Sequence, residues 1–534
     1  MLIAFALLPT LVLYPFPVKA ADSQSSWTSM TPMPTARGEF GLAVVNGKIY
    51  AIGGKNGDSG PLNTVEEYNP QTNLWISKAS MPTPRSGFAI AVYQNKIYVI
   101  GGTVGTGFVG NNEAYDPIHN TWETKTSMPT PRSDLIANLV DDKLYLIGGK
   151  KYSGIPPFFN KTDINEVYDI SNDSWSTKTP IITPVQGYSS AVFNDKIYIM
   201  GGSLDSLPIE ESLTTNVNQV YDPQNDSWDF GSSLLNAVSY PAAAVTEGFM
   251  ALPRIYCIGG FSDRKFSGQV QAYNLENNSW KLEDSMPTPR AYLAIAVVND
   301  VLYAIGGFDG TNWLNVNEQY KPVGYGTVAP KVLITSPENK TYSSVSLEFT
   351  ANRGTDWIGY SLDNQANETL NSEEILLSLT NGAHNITIYA NDSLGNMGSS
   401  NTVFFSVDTL PPDIEILMPQ NKTYDSADIQ LSFTLNEAVT YLAYSLDGQE
   451  NITIIGNVTL PVLSDGSHHL TLYATDELGN SAGKMIAFNI APFPIIAVAA
   501  ALATTVIILA GGYLFFKRRR PSSVKKGSKV RKTC

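Results

Sequence analysis

Six Gly-Gly pairs recur between residues 53 and 307, and each pair ends a short, strand-like run of apolar residues such as KIYAIGG or KLYLIGG. A Tyr follows every pair, and in the first five repeats a Trp stands seven residues after that Tyr. Paired glycines admit positive φ and a close backbone approach where a strand bends away from its neighbour. The repeat length of 47 to 58 residues leaves room for four short strands. This pattern predicts a β-propeller with one blade per repeat.

The start of the chain carries the end of a repeat. Trp27 lies 27 residues before Gly54, the second glycine of the first pair. The same spacing precedes the next glycine pair in four later repeats, at Trp75, Trp122, Trp175 and Trp280. The sixth repeat reaches Tyr320 but has Thr327 where its Trp would stand. We therefore predict that residues 24–30 form the outer strand of the last blade and close the ring of blades.

The ordered pattern of Arg, apolar strand, IYxIGG, Tyr and Trp resembles the kelch repeat over roughly residues 24–322. The resemblance implies a six-bladed propeller at residues 21–322, each blade being a four-stranded antiparallel sheet around a central channel. Two loops are longer than their counterparts in the other repeats, at 150–165 and 203–218, and a third insertion lies near 246–253. We expect the first two on the face that carries the repeat-start arginines, and the third on the opposite face.

A second type of repeat follows a short linker at 323–330. The tetrapeptide YSLD occurs at 360 and 444, and LGN occurs at 394 and 478, with alternating strand-like stretches between them. This offset of 84 residues predicts two antiparallel sandwiches, at 331–409 and 410–490. They resemble the Ig-like modules of prokaryotic surface proteins and would form a stalk. Seven of the eleven N-x-S/T sequons fall here, which predicts a glycoprotein with shielded strand edges.

Both ends of the chain indicate a membrane protein. An apolar run followed by small residues predicts a signal-like leader at 1–20, although its start lacks basic residues. Residues 492–516 are uncharged and mostly apolar, and as a helix they are long enough to cross a bilayer. Nine Lys or Arg and no acidic residue follow at 517–534, which predicts a cytoplasmic C-terminus. The expected product is a single-pass cell-membrane protein with an extracellular ectodomain.

Charge and cysteine content limit the partners and the compartment. The chain without its basic tail has 26 basic and 49 acidic residues, which argues against nucleic acid as a partner. Its two cysteines, Cys257 and Cys534, would lie on opposite sides of the membrane and form no disulfide. Sequons without disulfides favour an archaeal or other prokaryotic surface. The sequence thus predicts an all-β fold: a six-bladed kelch-type propeller, two Ig-like sandwiches and a single C-terminal transmembrane helix.

Four of the six repeats begin with an arginine: Arg37, Arg85, Arg132 and Arg290. The other two begin with Val185 and Val238. One hypothesis is a basic arc at one mouth of the channel that binds an acidic sugar or a carboxylate side chain. The other hypothesis is that each Arg joins neighbouring blades by stacking or by bonding to carbonyl groups.

The loop at 150–165 contributes a second group of candidate ligand-binding residues. Its apolar side chains include Tyr152, Phe158 and Phe159, which a polar surface loop does not require. Exposed aromatic residues beside a basic arc suit stacking on a sugar ring or insertion into a partner's pocket. The alternative is that this loop folds back and covers its own sheet.

Kelch proteins include enzymes, notably copper oxidases of the galactose oxidase type and sialate mutarotases. A copper site needs imidazole ligands, whereas the predicted propeller has one histidine, His119, in a turn. His384 and His468 occupy equivalent positions of the sandwich repeats, which favours a structural role. No zinc spacing, nucleophile elbow or phosphate loop occurs, so no metal, cofactor or catalytic residue is predicted.

Two functions remain on the sequence alone. The first is a surface-anchored binding protein whose propeller engages a glycan or another protein. The second is an extracellular, cofactor-free carbohydrate-active enzyme, such as a sialate mutarotase-like isomerase or a lyase, because carboxylates and tyrosines on loops leave no local signature. The loops determine which ligand is bound, and they vary independently of the repeat.

Overall fold

The computed structural model describes residues 26–491, apart from 58–59, 106, 155–158, 206, 208, 210, 371–374 and 378. The predicted leader, membrane span and basic tail lie outside the described residues, and so does Phe158. Within this part of the chain the regular elements are all β-strands. Among the described residues there is no helix whose length and apolar character would allow it to cross a membrane.

The chain divides into two compact units. The first holds the described residues up to Leu333 together with Ala351–Gly359 and Ile388–Ser400. The second holds Ile334–Thr350, Tyr360–Thr387 and the described residues from Asn401 onward.

The first unit contains six four-stranded sheets. The chain begins with β1 (Ser26–Ser29). Sheet 1 contains β2 (Gly41–Val45), β3 (Lys48–Ile52), β4 (Val65–Asn69) and β5 (Leu74–Ser77). Sheet 2 contains β6 (Ala89–Tyr93) and β7 (Lys96–Ile100), a short hairpin of β8 (Thr103–Val104) and β9 (Gly107–Phe108), then β10 (Asn112–Asp116) and β11 (Thr121–Lys125). Sheet 3 contains β12 (Ala137–Val140) and β13 (Lys143–Ile147), the hairpin β14 (Lys150–Tyr152) and β15 (Phe159–Lys161), then β16 (Asn165–Asp169) and β17 (Ser174–Lys178).

The remaining three sheets follow the same order. Sheet 4 contains β18 (Ser189–Phe193), β19 (Lys196–Met200), β20 (Asn218–Asp222) and β21 (Ser227–Phe230). Sheet 5 contains β22 (Ala242–Thr246) and β23 (Arg254–Ile258), the hairpin β24 (Phe261–Ser262) and β25 (Lys265–Phe266), then β26 (Val270–Asn274) and β27 (Ser279–Glu283). Sheet 6 contains β28 (Ala294–Val298), β29 (Val301–Ile305) and β30 (Asn317–Lys321), with β1 as its fourth strand.

The six sheets form a ring because their first strands meet. β2 contacts β6 and β28, β12 contacts β6 and β18, and β22 contacts β18 and β28. Each first strand therefore lies between the first strands of the sheets before and after it. In β2 and β22 alternate residues are buried between the sheets, and such residues contribute to the core of the ring.

Sheet 6 joins the two ends of the ring. β1 pairs antiparallel with β30, so that Trp27 stands opposite Tyr320 with ring centroids 4.7 Å apart. The other five sheets place the Trp of their fourth strand opposite the Tyr of their third strand in the same register. This is the pairing that the spacing of Trp27 predicts, and it covers an edge that would otherwise be open.

The repeated Trp and Tyr also bond neighbouring sheets to each other. In sheet 1, Trp75 Nε1 donates to the carbonyl of Thr31, which lies in the segment that follows β1. Asn73 accepts from the Thr31 N–H and from the Tyr68 hydroxyl through its Oδ1 atom. Equivalent bonds recur in sheets 2 to 5, for example from Trp122 to Ala79. The repeat residues are therefore used by the framework rather than by a ligand.

Residues 332–490 form two further pairs of sheets. The first pair consists of a sheet with β31 (Val332–Ser336), β33 (Val345–Ala351) and β36 (Ile375–Leu377), and a sheet with β32 (Thr341–Tyr342), β34 (Trp357–Leu362), β35 (Glu368–Thr369), β37 (Gly382–Asn391), β38 (Met397–Ser399) and β39 (Val403–Val407). The second pair consists of a sheet with β40 (Ile414–Met418), β42 (Gln430–Leu435) and β45 (Val458–Thr459), and a sheet with β41 (Thr423–Tyr424), β43 (Tyr441–Leu446), β44 (Ile452–Thr453), β46 (Gly466–Thr475) and β47 (Ser481–Ile490). A buried apolar cluster that includes Leu431, Leu470 and Phe488 fills the second pair.

The two equivalent histidines are buried and doubly bonded. His468 places Nδ1 2.7 Å from Asp447 Oδ2 and Nε2 2.8 Å from the carbonyl oxygen of Ser464. His384 repeats this arrangement with Asp363 and Thr380. Both partners of each ring accept hydrogen bonds, an arrangement that favours the protonated imidazole. The bond to the backbone carbonyl and the adjacent carboxylate raise the pKa of His468 above its ordinary value.

Stability of the second unit is therefore expected to depend on pH. A raised folded-state pKa means that folding favours protonation, so the contribution of His468 is complete below about pH 6.5 and is lost as pH rises through the folded-state pKa. Thermal unfolding of the full chain between pH 5 and 9 measures this loss. His468→Gln should flatten the pH dependence, whereas His469→Gln, at an exposed neighbouring side chain, should leave it unchanged. Equal pH dependence in the wild type and His468→Gln would contradict the assignment.

Candidate functional site

The repeat-start arginines are buried inside the sheets. All four are 0% exposed: Arg37, Arg85, Arg132 and Arg290. Each guanidinium group lies 2.6 to 2.9 Å from a carboxylate oxygen of a buried glutamate of its own sheet. The glutamates are, in the same order, Glu66, Glu113, Glu166 and Glu318. These are ion pairs of the protein interior, where breaking a pair is costly.

Each arginine also joins two sheets. The Arg85 carbonyl accepts from the N–H of Gly54 in sheet 1, at 2.9 Å. The Arg85 guanidinium donates to the carbonyls of Val99 and Gly101 in sheet 2. The hypothesis of a basic arc open to a ligand does not fit this burial, because a guanidinium group without exposed surface makes no contact with a ligand. The alternative hypothesis, a join between blades, agrees with the geometry.

The sequence also carries a signal that predicts this pairing. Two residues before the repeat Tyr stands Glu in sheets 1, 2, 3 and 6, and Gln219 or Gln271 in sheets 4 and 5. Sheets 4 and 5 are those in which valine replaces the arginine. Gln219 bonds through its amide to the backbone N–H and carbonyl of Thr183. At this position of the repeat, a buried carboxylate therefore stands only where a guanidinium group neutralises it.

The mouth of the channel is lined by the residues that stand two positions after each repeat start. We call these six residues the mouth ring: Glu39, Gly87, Asp134, Gly187, Tyr240 and Tyr292. Each backbone N–H donates to the carbonyl of a neighbouring member at 2.6 to 3.4 Å, and the six hydrogen bonds close a circle. All six have φ between 51° and 60°. The circle fixes one residue of every sheet at the entrance of the channel.

Tyr240 lies across part of the entrance. A Cβ atom at Gly187 would lie 2.4 Å from a carbon of the Tyr240 ring, so the aromatic ring uses the space that a side chain in sheet 4 would fill. The Tyr240 hydroxyl lies 3.5 Å from Asp134 Oδ2 in sheet 3. Burial and the nearby carboxylates of Asp134 and Glu39 raise the pKa of Tyr240 well above its ordinary value, so the hydroxyl stays protonated.

Two carboxylates of the mouth ring are each paired with a lysine. Lys55 Nζ lies 2.6 Å from Glu39 Oε1, and Lys150 Nζ lies 2.7 Å from Asp134 Oδ2. Burial would lower the pKa of Lys150, but the charge and hydrogen bond of Asp134 outweigh it and the pKa is raised. Each pair places one positive group beside one negative group, so the two pairs make the entrance polar without net charge.

Aromatic side chains occupy the opposite part of the entrance. Tyr240 and Tyr292 stack with ring centroids 4.4 Å apart, and Trp313 lies 6.4 Å from Tyr292. The Phe308 ring lies 4.9 Å from that of Trp313, and the Phe266 ring lies 5.7 Å from that of Phe308. Together with the inner ends of the first strands, the mouth ring encloses a cavity of about 270 Å³. This cavity combines an aromatic wall with a few fixed polar groups, the usual composition of a ligand site.

The loop candidates lie on the rim of the same face. Tyr152 is 61% exposed and Phe159 is 39% exposed, and Phe159 lies 5.1 Å from Phe108 of the neighbouring hairpin. A cavity of about 440 Å³ lies between these two hairpins. Lys161 Nζ donates to the carbonyl of Leu204, so the two long loops are in contact, on the face where the sequence predicts them.

The insertion of sheet 5 is a closed structural element. Asp300 accepts hydrogen bonds from the backbone N–H groups of Glu247, Phe249, Met250 and Ala251, at 2.6 to 3.0 Å. Asp300 is itself 3% exposed. Four bonds to one carboxylate hold this loop against sheet 6, which makes it a poor candidate for an adaptable binding loop.

One cluster among the described residues has the composition of a metal site. Carboxylate oxygens of Asp408, Glu437 and Asp476 lie within 4.8 Å of one another. Its donors are hard oxygen atoms without imidazole or thiolate, so the cluster does not suit copper. In the preceding sheets Arg353 Nη2 lies 2.7 Å from Asp392, the counterpart of Asp476.

Comparison with known proteins identifies the repeat. Residues 16–202 match the family model described as the KLHDC2/KLHL20/DRC7 Kelch-repeats domain, and residues 184–235, 253–287 and 289–324 match the Kelch motif. The ring of six four-stranded sheets, four of them with a buried Arg–Glu pair, and these matches define the class: the chain is a kelch-repeat protein.

The similar proteins match this chain over part of their length. Kelch-like protein 25 of Xenopus tropicalis is 29% identical over 26% of this chain and 24% of its own length. Kelch-like protein 36 of Bos taurus is 33% identical over 24% of this chain and 21% of its own length. The chain thus spans about a quarter of the relatives it matches. A solved structure titled "Structure of YjhT" is 16% identical, covers 54% of this chain and 96% of the other chain, and has a TM-score of 0.45.

Proposed function

We propose that this protein is a cell-surface binding protein whose six-bladed propeller engages a glycan or a protein at the mouth ring. Two Ig-like modules would carry the propeller as a stalk, and the span at 492–516 would hold it in the membrane. The kelch-repeat propeller supports the role of a binding module.

One observation at the mouth ring carries the proposal. Four of its six members are not glycine, although every position has positive φ: Glu39, Asp134, Tyr240 and Tyr292. For the two tyrosines, whose side chains are bulky, this region of φ is unusual and costs about 1–3 kcal/mol of folding free energy. Glycine at two other members of the ring avoids that cost. Side chains that the backbone disfavours, gathered around one cavity, point to a function of the cavity.

The same geometry favours binding over catalysis. General acid–base chemistry needs a group that is poised to exchange a proton with the substrate. Glu39 and Asp134 are each engaged by a lysine within 2.7 Å. The carboxylates thus act as fixed polar contacts, and we do not favour the carbohydrate-active enzyme.

Replacing ring tyrosines by glycine separates binding from stability. Tyr240→Gly and Tyr292→Gly should change the free energy of unfolding by no more than about 1 kcal/mol, because relief of the backbone strain offsets the lost burial of a partly exposed ring. The affinity for a ligand found by screening the full chain against glycans and peptides should fall by roughly tenfold or more. Urea unfolding and calorimetric titration measure the two effects.

Gly87→Ala is the matched variant in the same ring. A Cβ atom there would lie 2.9 Å from Asp134 Oδ1 in a left-handed backbone, so we expect lower stability. Unchanged ligand affinity in both tyrosine variants would show that the mouth ring is not the site.

Topology is tested on intact cells. Protease treatment should release the propeller and leave a basic fragment in the membrane, because the charges after Phe516 favour a cytoplasmic C-terminus. A tag placed after Cys534 should be protected from outside and become accessible after permeabilisation. A tag that is accessible on intact cells would contradict the anchoring.

A further inference from the structure

We propose that the ligand of the mouth ring is a neutral oligosaccharide, bound with one sugar unit at the channel entrance and further units along a series of aromatic side chains. This inference rests on the proposed function and specifies its ligand. We call the series the aromatic track: Tyr240, Tyr292, Trp313, Phe308 and Phe266.

Charge complementarity favours a ligand without net charge. The charged residues among those that line the cavity are Glu39 and Asp134, and each already has a lysine at 2.6 or 2.7 Å. An anionic ligand would have to displace a carboxylate from its lysine, and a cationic ligand would have to displace the lysine. Each displacement leaves a partly buried charge without its partner, which is costly.

The polar groups at the entrance require a ligand that both donates and accepts hydrogen bonds. Carboxylates only accept, and the lysine ammonium groups only donate. Sugar hydroxyl groups do both and carry no charge, so neighbouring hydroxyls can bond to Asp134 and Lys150 together. A proline-rich peptide, which also suits aromatic grooves, presents carbonyl acceptors but few donors. It would therefore bring few further hydrogen-bond donors to the carboxylates of the entrance.

The aromatic track supplies the apolar contacts that a chain of sugars needs. The centroids of successive rings are 4.4 to 6.4 Å apart. The series starts at Tyr240 at the channel entrance, continues through three rings of sheet 6, and ends at Phe266 in the hairpin of sheet 5. All five rings are partly exposed. Lys55 Nζ lies 5.3 Å from the centroid of Trp313 and brings a donor to the middle of the track. A sugar ring has an apolar face and a polar edge, which matches aromatic rings that are flanked by paired charges.

The test uses the full chain and defined probes. These are the neutral hexasaccharides of glucose, mannose and N-acetylglucosamine, their monosaccharides, the anionic hexamer of galacturonic acid, the cationic hexamer of glucosamine, and a proline-rich decapeptide. At least one neutral hexasaccharide should bind roughly tenfold more tightly than both charged hexamers. Trp313→Ala should lower the affinity for that hexasaccharide by roughly tenfold and the affinity for its monosaccharide far less, since only the longer ligand reaches the track. Tyr240→Gly should lower both affinities. Ile118→Ala, at a side chain that is 70% exposed in a distant turn, is the control and should change neither.

The outcomes separate this inference from the proposed function. If a charged hexamer or the peptide binds more tightly, and Tyr240→Gly abolishes that binding, the proposal of a neutral oligosaccharide is wrong but the mouth ring is still the site. Binding that neither Tyr240→Gly nor Trp313→Ala weakens overturns both. Absence of binding by every neutral probe overturns the inference, and the screen for a protein ligand then decides the proposed function alone.

Discussion

Deletion of residues 21–30 is expected to destabilise all six sheets of the first unit, not only the sheet that loses a strand. The deletion removes β1, and with it the pairing of four residues with β30. It also removes the hydrogen bond from Trp27 Nε1 to the carbonyl of Asp284, which ties sheet 6 to sheet 5. Because the first strands form a closed circle, an opened sheet 6 loosens its contacts with both neighbours.

A single substitution measures the part of this effect that belongs to one side chain. Trp27→Ala should lower the free energy of unfolding by about 2 kcal/mol, less than for a fully buried Trp, because the ring is only partly buried. Thr28→Val, at an exposed position of the same strand, should stay within about 0.5 kcal/mol of the wild type. Urea unfolding followed by tryptophan fluorescence provides the measurement. A deletion variant that unfolds at the wild-type urea concentration would show that β1 does not close the ring.

Arg85→Val is expected to lower the free energy of unfolding by about 3–5 kcal/mol, because it leaves the buried carboxylate of Glu113 without its partner. The double variant Arg85→Val with Glu113→Gln should regain a large part of that loss. Sheets 4 and 5 already contain the combination of Val and Gln, and in sheet 4 the Gln219 amide bonds to the backbone of Thr183. Thr83 occupies the equivalent position in sheet 2, and its hydroxyl already donates to Glu113.

The comparison of three variants isolates the coupling between the two side chains. Glu113→Gln alone should be destabilising, since the Arg85 guanidinium then lacks a carboxylate, and the double variant should be more stable than the sum of the single effects predicts. The same pair of changes at exposed Lys96 and Glu123, which are 2.9 Å apart on the surface, should cost less than about 1 kcal/mol. If the double variant is as unstable as Arg85→Val alone, the Val–Gln pairs of sheets 4 and 5 are not an alternative to the Arg–Glu pair.

The framework of this protein could be derived from the sequence because the repeat residues act locally. Paired glycines are required where the second strand of a sheet ends, and the Trp and Tyr face each other across two adjacent strands. The distance from Trp27 to Gly54 is enough to predict the pairing of β1 with β30, since the same distance occurs inside the other repeats. The sequence also shows that Arg occurs together with Glu in four repeats and Val together with Gln in the other two. This correlation indicates that the two positions are in contact.

The binding site could not be derived in the same way, because exposure is a property of the assembled ring. Arg85 and Tyr240 both lie at the start of a repeat, yet one is enclosed between two sheets and the other reaches across the channel entrance. The members of the mouth ring are about 50 residues apart and are of four different residue types. They meet only when six first strands close a circle, in which all six have positive φ. The sequence by itself determined the repeating framework, through residues that each satisfy a local backbone or strand-pairing requirement. Only the tertiary structure decided which of the variable residues share one cavity, because that depends on the distance between sheets rather than on the order of residues within one.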